Sequence, residues 1–132
     1  LQTLQNNMLR VIFGFQLKNC VNMKNLREEI KMMSVNQISV YHTLLEAYNV
    51  MRHLSSEQIN MKWKLIERKY ALRSITNEQL NVPEKPKLKC LGFTYNGAKL
   101  FNMLPIKMRK VEDPSAFKTM TKKWIWENIP SY

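Results

Sequence analysis

Residues 97–105 read GAKLFNMLP, and this stretch decides how the second half of the chain is organised. The dipeptide Asn96-Gly97 predicts a turn, because both residues favour the backbone conformations that turns require. Residues 98–104 then predict one to two turns of helix. Pro105 stops or restarts that helix, because proline has no N–H group to continue the hydrogen-bond ladder. We therefore expect a short helix between two breaks.

The N-terminal segment predicts an amphipathic helix over residues 1–13, which ends at Gly14. Its apolar residues recur at spacings of three and four, and its polar face is neutral. Asn25 is predicted to cap a second helix, because Glu28 follows at the spacing of a capping box. The apolar stripe of the first helix comprises Leu1, Leu4, Met8 and Val11, widened by Leu9 and Ile12.

A break near Ser34 precedes the longest predicted helix, residues 36–54. Apolar side chains cover more than half of its circumference, so we expect it to be the hub of the core. A fourth helix is predicted over residues 56–72. Together these patterns define a helical first half, residues 1–73.

The second half, residues 74–132, is basic and combines a small β element with helices. Alternating apolar and polar residues predict a β-hairpin between residues 78 and 92. The tripeptide Asp113-Pro114-Ser115 predicts the start of a last helix, residues 116–128. The predicted fold class is therefore mainly α: one domain, a bundle of about five to six helices with one small hairpin.

At 132 residues the chain has the length of one domain, and it is too short to hold a polymerase. It begins at Leu1 within a predicted helix, so we expect it to be a fragment of a longer polyprotein. No apolar run is long enough for a membrane span, and the N-terminus lacks the layout of a signal peptide. We expect an intracellular protein, nuclear or cytoplasmic, with no membrane contact.

Catalytic and metal-binding patterns are absent from the sequence. Cys20 and Cys90 are far apart, with no cysteine or histidine nearby at metal-ligand spacing, so two free thiols are favoured. Asp113 is the single aspartate of the chain, which excludes the carboxylate pairs of two-metal phosphoryl transfer. We expect no metal, no cofactor and no enzymatic activity in this chain by itself.

Two motifs resemble a known family. After Gly97, residues 101–105 (FNMLP) and Phe117-Lys118, followed by Trp124, are similar to a segment near the C-terminus of non-LTR retrotransposon (LINE-type, jockey- or CR1-like) reverse transcriptases. Residues 1–12 resemble that family's Leu-Gln-x-x-Gln-Asn…Arg-x-Ile segment, which follows the polymerase domain. A tryptophan is usual in the family where Phe101 stands here. The resemblance implies a parent RNA-directed DNA polymerase whose active site lies upstream and which copies its RNA into DNA at a nicked chromosomal target.

The charge points to a polyanionic partner. The net charge is +11, and residues 62–132 carry fifteen basic against six acidic side chains. Neutralised phosphates release condensed counterions, which drives association. A row of cations on the fourth helix would suit a nucleic-acid backbone, and a solvated helix face explains it equally well. The predicted nucleic-acid-binding residues are Lys62, Lys69, Arg73, Lys87, Lys89, Lys107, Arg109, Lys110, Lys122 and Lys123.

We therefore expect a non-catalytic accessory domain that holds template RNA or target DNA against the upstream polymerase domain of the parent protein. An alternative is a structural or protein-interaction module that completes the polymerase fold or binds a host protein. A third possibility is a degenerate fragment that folds without a function.

Overall fold

The computed structural model describes residues 1–14, 22–52 and 93–131, and within these ranges every regular element is a helix. The mainly helical class is thus confirmed. The hairpin predicted between residues 78 and 92 and the helix predicted over residues 56–72 lie outside the described residues. The helices are α1 (Gln2–Ile12), α2 (Met23–Glu29), α3 (Val35–Met51), α4 (Phe93–Met103), α5 (Ile106–Arg109) and α6 (Pro114–Asn128).

Helix α3 begins where the sequence predicts a break. The Ser34 hydroxyl accepts a hydrogen bond from the Gln37 N–H at 3.3 Å, and the Gln37 side chain accepts one from the Ser34 N–H at 2.9 Å. This reciprocal capping box satisfies two donors that the helix start would otherwise leave unbonded. Helix α3 packs against α1, α4 and α6, so the prediction that it forms the hub of the core is confirmed.

The core is one cluster in which α3 meets the C-terminal helices. The ring of Tyr48 stacks on that of Phe117 from α6, with 4.1 Å between centroids and an interplanar angle of 15°. Such stacked aromatic pairs add to the stabilisation that burial alone provides. The cluster contains Leu44, Ala47, Tyr48, Val50, Ala98, Phe101, Leu104, Met108, Phe117, Trp124 and Ile125.

Helix α4 corrects the prediction of a turn at Asn96-Gly97. The helix begins at Phe93 and passes through both residues, and Gly97 and Ala98 are buried. A glycine inside a helix costs roughly 1 kcal/mol relative to alanine. Burial against the rest of the core offsets that cost, because Phe101 on the same helix is fully buried. The break predicted at Pro105 is confirmed: α4 ends at Met103, and α5 starts directly after the proline.

Helix α6 starts as predicted. The Asp113 carboxylate accepts from the Ser115 N–H at 3.2 Å, and Pro114 occupies the first turn, where its missing N–H is harmless. The predicted inward face is confirmed for Phe117, Trp124 and Ile125, which are buried.

The start of α2 differs from the prediction. The cap is Asn22, whose side chain accepts from the N–H groups of Lys24 and Asn25, so Asn25 lies inside the helix. Asn22 and Asn25 can both cap a helix, and the spacing between Asn25 and Glu28 led to the wrong prediction. Backbone geometry decides between them, because Asn22 has the extended conformation that an N-cap requires.

Helix α1 has the predicted extent, and Gly14 follows it with a positive φ of 69°, a conformation that glycine adopts without strain. Its polar side packs on the molecule. Gln2 accepts from the Val35 N–H at 2.8 Å, and the Gln5 amide donates to the Met33 carbonyl at 2.9 Å. Leu9 is the buried apolar residue of this helix. The predicted apolar stripe is therefore left at the surface.

None of the described helices is both long and apolar enough to cross a membrane.

Candidate nucleic-acid interface

The lysines of α6 lie on its outward side. Burial of Phe117, Thr121, Trp124 and Ile125 fixes the rotation of this helix about its axis, and the lysines between them face solvent. Lys122 and Lys123 are exposed, as predicted. Lys118 is also exposed and precedes Lys122 by one helical turn, so it extends the same basic side although it was not among the predicted binding residues.

Aromatic rings accompany these lysines. The Lys122 ammonium lies 5.6 Å from the ring centroid of Tyr41 on α3, within the range of a cation–π contact. Trp126 follows Lys122 by four residues and Lys123 by three, so the indole and both ammonium groups share one side of the last turns of α6. Trp126 is half-buried. We call Lys118, Lys122, Lys123 and Trp126 the α6 basic surface.

A second basic site lies at α5. Lys107 and Lys110 are exposed and three residues apart, so they point to the same side of this short turn. Contacts with α3 hold the segment in place. The Arg52 guanidinium donates to the carbonyls of Arg109 and Val111, at 3.1 and 3.2 Å, and thereby fixes the backbone that carries both lysines.

The exposure predicted for Arg109 is wrong. Its side chain is 5% exposed, although both neighbouring lysines are at the surface. The one-turn helix α5 packs on α6, and Met108 and Arg109 are the two residues it buries. Residues 107–110 contain three cations within four positions, so the sequence does not show which of the three faces inward.

The other predicted binding residues have no described position. Lys62, Lys69, Arg73, Lys87 and Lys89 all lie outside the residues that the structure describes. The predicted ridge on the fourth helix and the predicted cationic row of the hairpin therefore both stay predictions.

A cleft of about 320 Å³ borders the α6 basic surface. Trp126 forms part of its wall, and Lys24 and Glu28 of α2 lie across from the C-terminal residues. The Gln37 amide donates to the Ile129 carbonyl at 3.0 Å and ties the end of the chain to the start of α3. Lys24 lies ninety residues before the start of α6, so no local pattern in the sequence connects it with this surface.

The electrostatic state of these lysines favours an anionic ligand. In the part of the chain that is described, Lys107, Lys110, Lys118 and Lys123 form no ion pair with a carboxylate. Their ammonium groups are therefore free to contact phosphates. Arg27 differs: it is buried between α1 and α2, and burial lowers the pKa of its guanidinium despite the opposing effect of Glu28. It does not belong to the basic surface.

Among residues 1–14, 22–52 and 93–131, no three histidine, cysteine, aspartate or glutamate side chains lie close enough to hold a metal ion.

Comparison with protein-family models, with curated proteins and with solved structures finds no match to this chain. The resemblance to the non-LTR reverse transcriptases therefore stays a prediction.

Proposed function

We propose that this chain is a non-catalytic nucleic-acid-binding domain that contacts the phosphate backbone of RNA or DNA. The resemblance of its sequence motifs implies that it is an accessory domain, which follows the polymerase domain of a non-LTR retrotransposon reverse transcriptase. There it would hold template RNA or target DNA near the polymerase active site.

The observation that carries the proposal is the α6 basic surface. A rigid, well-packed helix presents three exposed lysines, Lys118, Lys122 and Lys123, on its outward side, next to a half-buried tryptophan. Lysines on a fixed helix can contact the phosphates of a nucleic-acid backbone, and an indole ring offers a sequence-tolerant platform for an unstacked base. The net charge of +11 adds long-range attraction to any nucleic acid.

The chemistry of these side chains predicts binding without sequence readout. Lysine ammonium groups recognise phosphates as point charges, whereas base-specific contacts usually need bidentate donors such as arginine, asparagine or glutamine. Arg109 is buried and Arg52 is bound to backbone carbonyls, so neither guanidinium is presented on this surface. Affinity should therefore be similar for unrelated sequences of the same strand type.

The test is fluorescence anisotropy of the chain with single-stranded RNA, an RNA–DNA hybrid and duplex DNA at about 50 and 200 mM salt. If Lys107, Lys110, Lys118, Lys122 and Lys123 each neutralise one phosphate, the fourfold rise in salt weakens duplex binding by about 500-fold. In the double variant Lys122→Gln/Lys123→Gln, the same rise should weaken binding by about 40-fold, because two contacts are lost.

The matched control is Lys31→Gln/Lys99→Gln, which removes the same charge from residues outside α5 and α6. Its salt dependence should stay close to that of the original chain. If a rise in salt weakens binding equally in the two double variants, only net charge matters and the α6 basic surface is not the site. Absence of binding at the lower salt would reject the proposed function.

A second candidate function is a protein-interaction module, and the apolar stripe of α1 favours it. Leu1, Leu4, Met8, Val11 and Ile12 are between 58 and 89% exposed. Contiguous apolar surface of this kind is uncommon on monomeric proteins and often marks a contact with another protein. The two functions use different surfaces and are compatible.

A further inference from the structure

The lysines of α6 lie beside α3, and three contacts fix the register of the two helices. The Gln37 amide, at the start of α3, donates to the carbonyl of the residue that follows α6. Tyr48, near the end of α3, stacks on Phe117 near the start of α6. Between these two contacts, the Lys122 ammonium lies over the ring of Tyr41. Helices α3 and α6 therefore run antiparallel.

This register brings a row of α6 side chains next to a row on α3. Lys118, Lys122 and Trp126 are spaced by four residues, so they form one row about 12 Å long on α6. Trp126 lies between Lys122 and the end of α6, which places it beside the first turn of α3, where Ile38 is 37% exposed. We call the two rows the α3–α6 surface, which comprises Lys118, Lys122, Trp126, Ile38, Tyr41 and His42.

Tyr41 connects the two rows. Its ring centroid lies 5.6 Å from the Lys122 ammonium and 5.5 Å from the centroid of the His42 ring, with an interplanar angle of 68° between the two rings. Tyr41 is half-buried and packs against the core, whereas His42 is exposed. An exposed imidazole ring that contacts a second, anchored ring offers a face on which a nucleic-acid base can stack.

The charges of this surface select an anionic ligand. None of its six residues is acidic, and within the described ranges Lys118 and Lys122 form no ion pair with a carboxylate. The nearest acidic residue along α3 is Glu46, one turn beyond His42, and it is half-buried and already engaged in a contact of its own. Phosphate groups are therefore attracted to the α6 row without a competing carboxylate in either row.

The aromatic rings distinguish between the possible anionic ligands. A base can stack on a protein ring only when it is not held inside a duplex. A duplex or an acidic peptide would contact the lysines and leave the rings of His42 and Trp126 unused. A single strand uses both the cations and the rings.

We infer that the α3–α6 surface binds single-stranded nucleic acid, with one base stacked on His42, one on Trp126, and backbone phosphates at Lys118 and Lys122. The inference rests on the proposed nucleic-acid-binding function and deepens it, because it names single strands as the preferred ligand and adds α3 to the interface. Stacking tolerates every base, so the preference concerns strandedness and not base sequence.

The test is fluorescence anisotropy of the full 132-residue chain with oligouridylate and oligothymidylate of about ten nucleotides, and with a duplex of the same length, at about 50 mM salt. His42→Ala should weaken binding of both single strands by about fivefold to tenfold, the lower end of the range for one stacked base. Duplex binding should change by less than about twofold, because paired bases do not reach the imidazole ring.

His42→Phe is the conservative variant. It keeps an aromatic ring at this position, so it should bind both single strands at least as tightly as the original chain. Because His42 is exposed, both substitutions leave the core intact.

A second tyrosine–lysine pair provides a matched control for Tyr41. On α4 the Lys99 ammonium lies 5.8 Å from the ring centroid of Tyr95, and this pair does not belong to the α3–α6 surface. Tyr41→Leu removes the ring that contacts both His42 and Lys122, so it should weaken single-strand binding by at least about threefold. Tyr95→Leu should leave that binding unchanged.

The inference and the proposed function fail in different ways. If His42→Ala weakens single-strand and duplex binding equally, or weakens neither, the inference is overturned and the proposed function stands. A loss in His42→Phe as large as that in His42→Ala would also overturn it, since the ring would then not be a stacking platform. Displacement of oligouridylate by oligoglutamate of the same length, at equal concentration, would make the surface a site for acidic peptides instead. Absence of binding to all three nucleic acids would reject the proposed function, and the inference with it.

Discussion

Replacement of Tyr48 by phenylalanine tests how the segment between α5 and α6 is held on the core. The Tyr48 hydroxyl is buried and lies 2.9 Å from the Val111 carbonyl and 2.8 Å from the Glu112 carbonyl. Tyr48→Phe removes this one donor and keeps the aromatic ring. The stacking on Phe117 is therefore retained, and the change isolates the hydrogen bond.

The expected cost follows from which acceptors lose a partner. The hydroxyl carries one proton, so it supplies one strong bond shared between two carbonyls. The Val111 carbonyl keeps the Arg52 guanidinium at 3.2 Å, whereas the Glu112 carbonyl has no second donor among the described residues. The substitution removes one net hydrogen bond and leaves the Glu112 carbonyl without a donor. Together these two effects should lower the free energy of unfolding by about 1.5 kcal/mol. For a domain of this size that corresponds to a fall in Tm of about 6 °C.

Urea denaturation followed by circular dichroism measures this difference. Tyr41→Phe is the matched control, because Tyr41 lies on the same helix and is half-buried, and its hydroxyl has no hydrogen bond to the described residues. The control should change stability by less than about 0.5 kcal/mol. Equal effects of the two substitutions would refute the claim that the Tyr48 hydroxyl anchors this segment.

Three further predictions concern the start of α3, the core and the α6 basic surface. Ser34→Ala removes the capping hydroxyl of α3 and should lower the unfolding free energy by about 1 kcal/mol in the same urea assay, so an unchanged midpoint would contradict the role of the cap. Phe101→Ala leaves a cavity beside α3 and should cost about 3 to 5 kcal/mol, visible as a lost or strongly shifted thermal transition. Trp126→Ala should weaken single-stranded RNA binding by roughly tenfold in the anisotropy assay and leave duplex binding nearly unchanged, because only an unstacked base can stack on the indole ring. Equal losses of affinity for both ligands would exclude stacking.

Local sequence signals were sufficient at three of the helix boundaries. Ser34, Pro105, and Asp113 with Pro114 predicted three boundaries that the structure confirms. Each acts through its own backbone or side-chain chemistry within one turn, so distant residues have little influence on it.

The same signals failed where packing outweighs a weak local preference. Asn96-Gly97 favours a turn, but burial of Gly97 and Phe101 is worth more than the helix penalty of a glycine. In the candidate site, the sequence identified Lys122 and Lys123 as exposed because the inward stripe of α6 is clear. It could not separate Arg109 from Lys107 and Lys110, because a single helical turn contains too few residues to show a period.

The sequence by itself determined that the described part of the chain is helical, where α1 and α6 start and stop, where α3 starts and α4 ends, and that the chain is strongly basic. Only the tertiary structure decided which side of α1 and of the one-turn helix α5 is buried. For α1 it reversed the usual outcome: the polar side packs, because its glutamines meet unbonded backbone groups near Met33 and Val35. Periodicity reports that a helix has two unlike sides, but the groups that neighbouring elements present to it determine which side is buried.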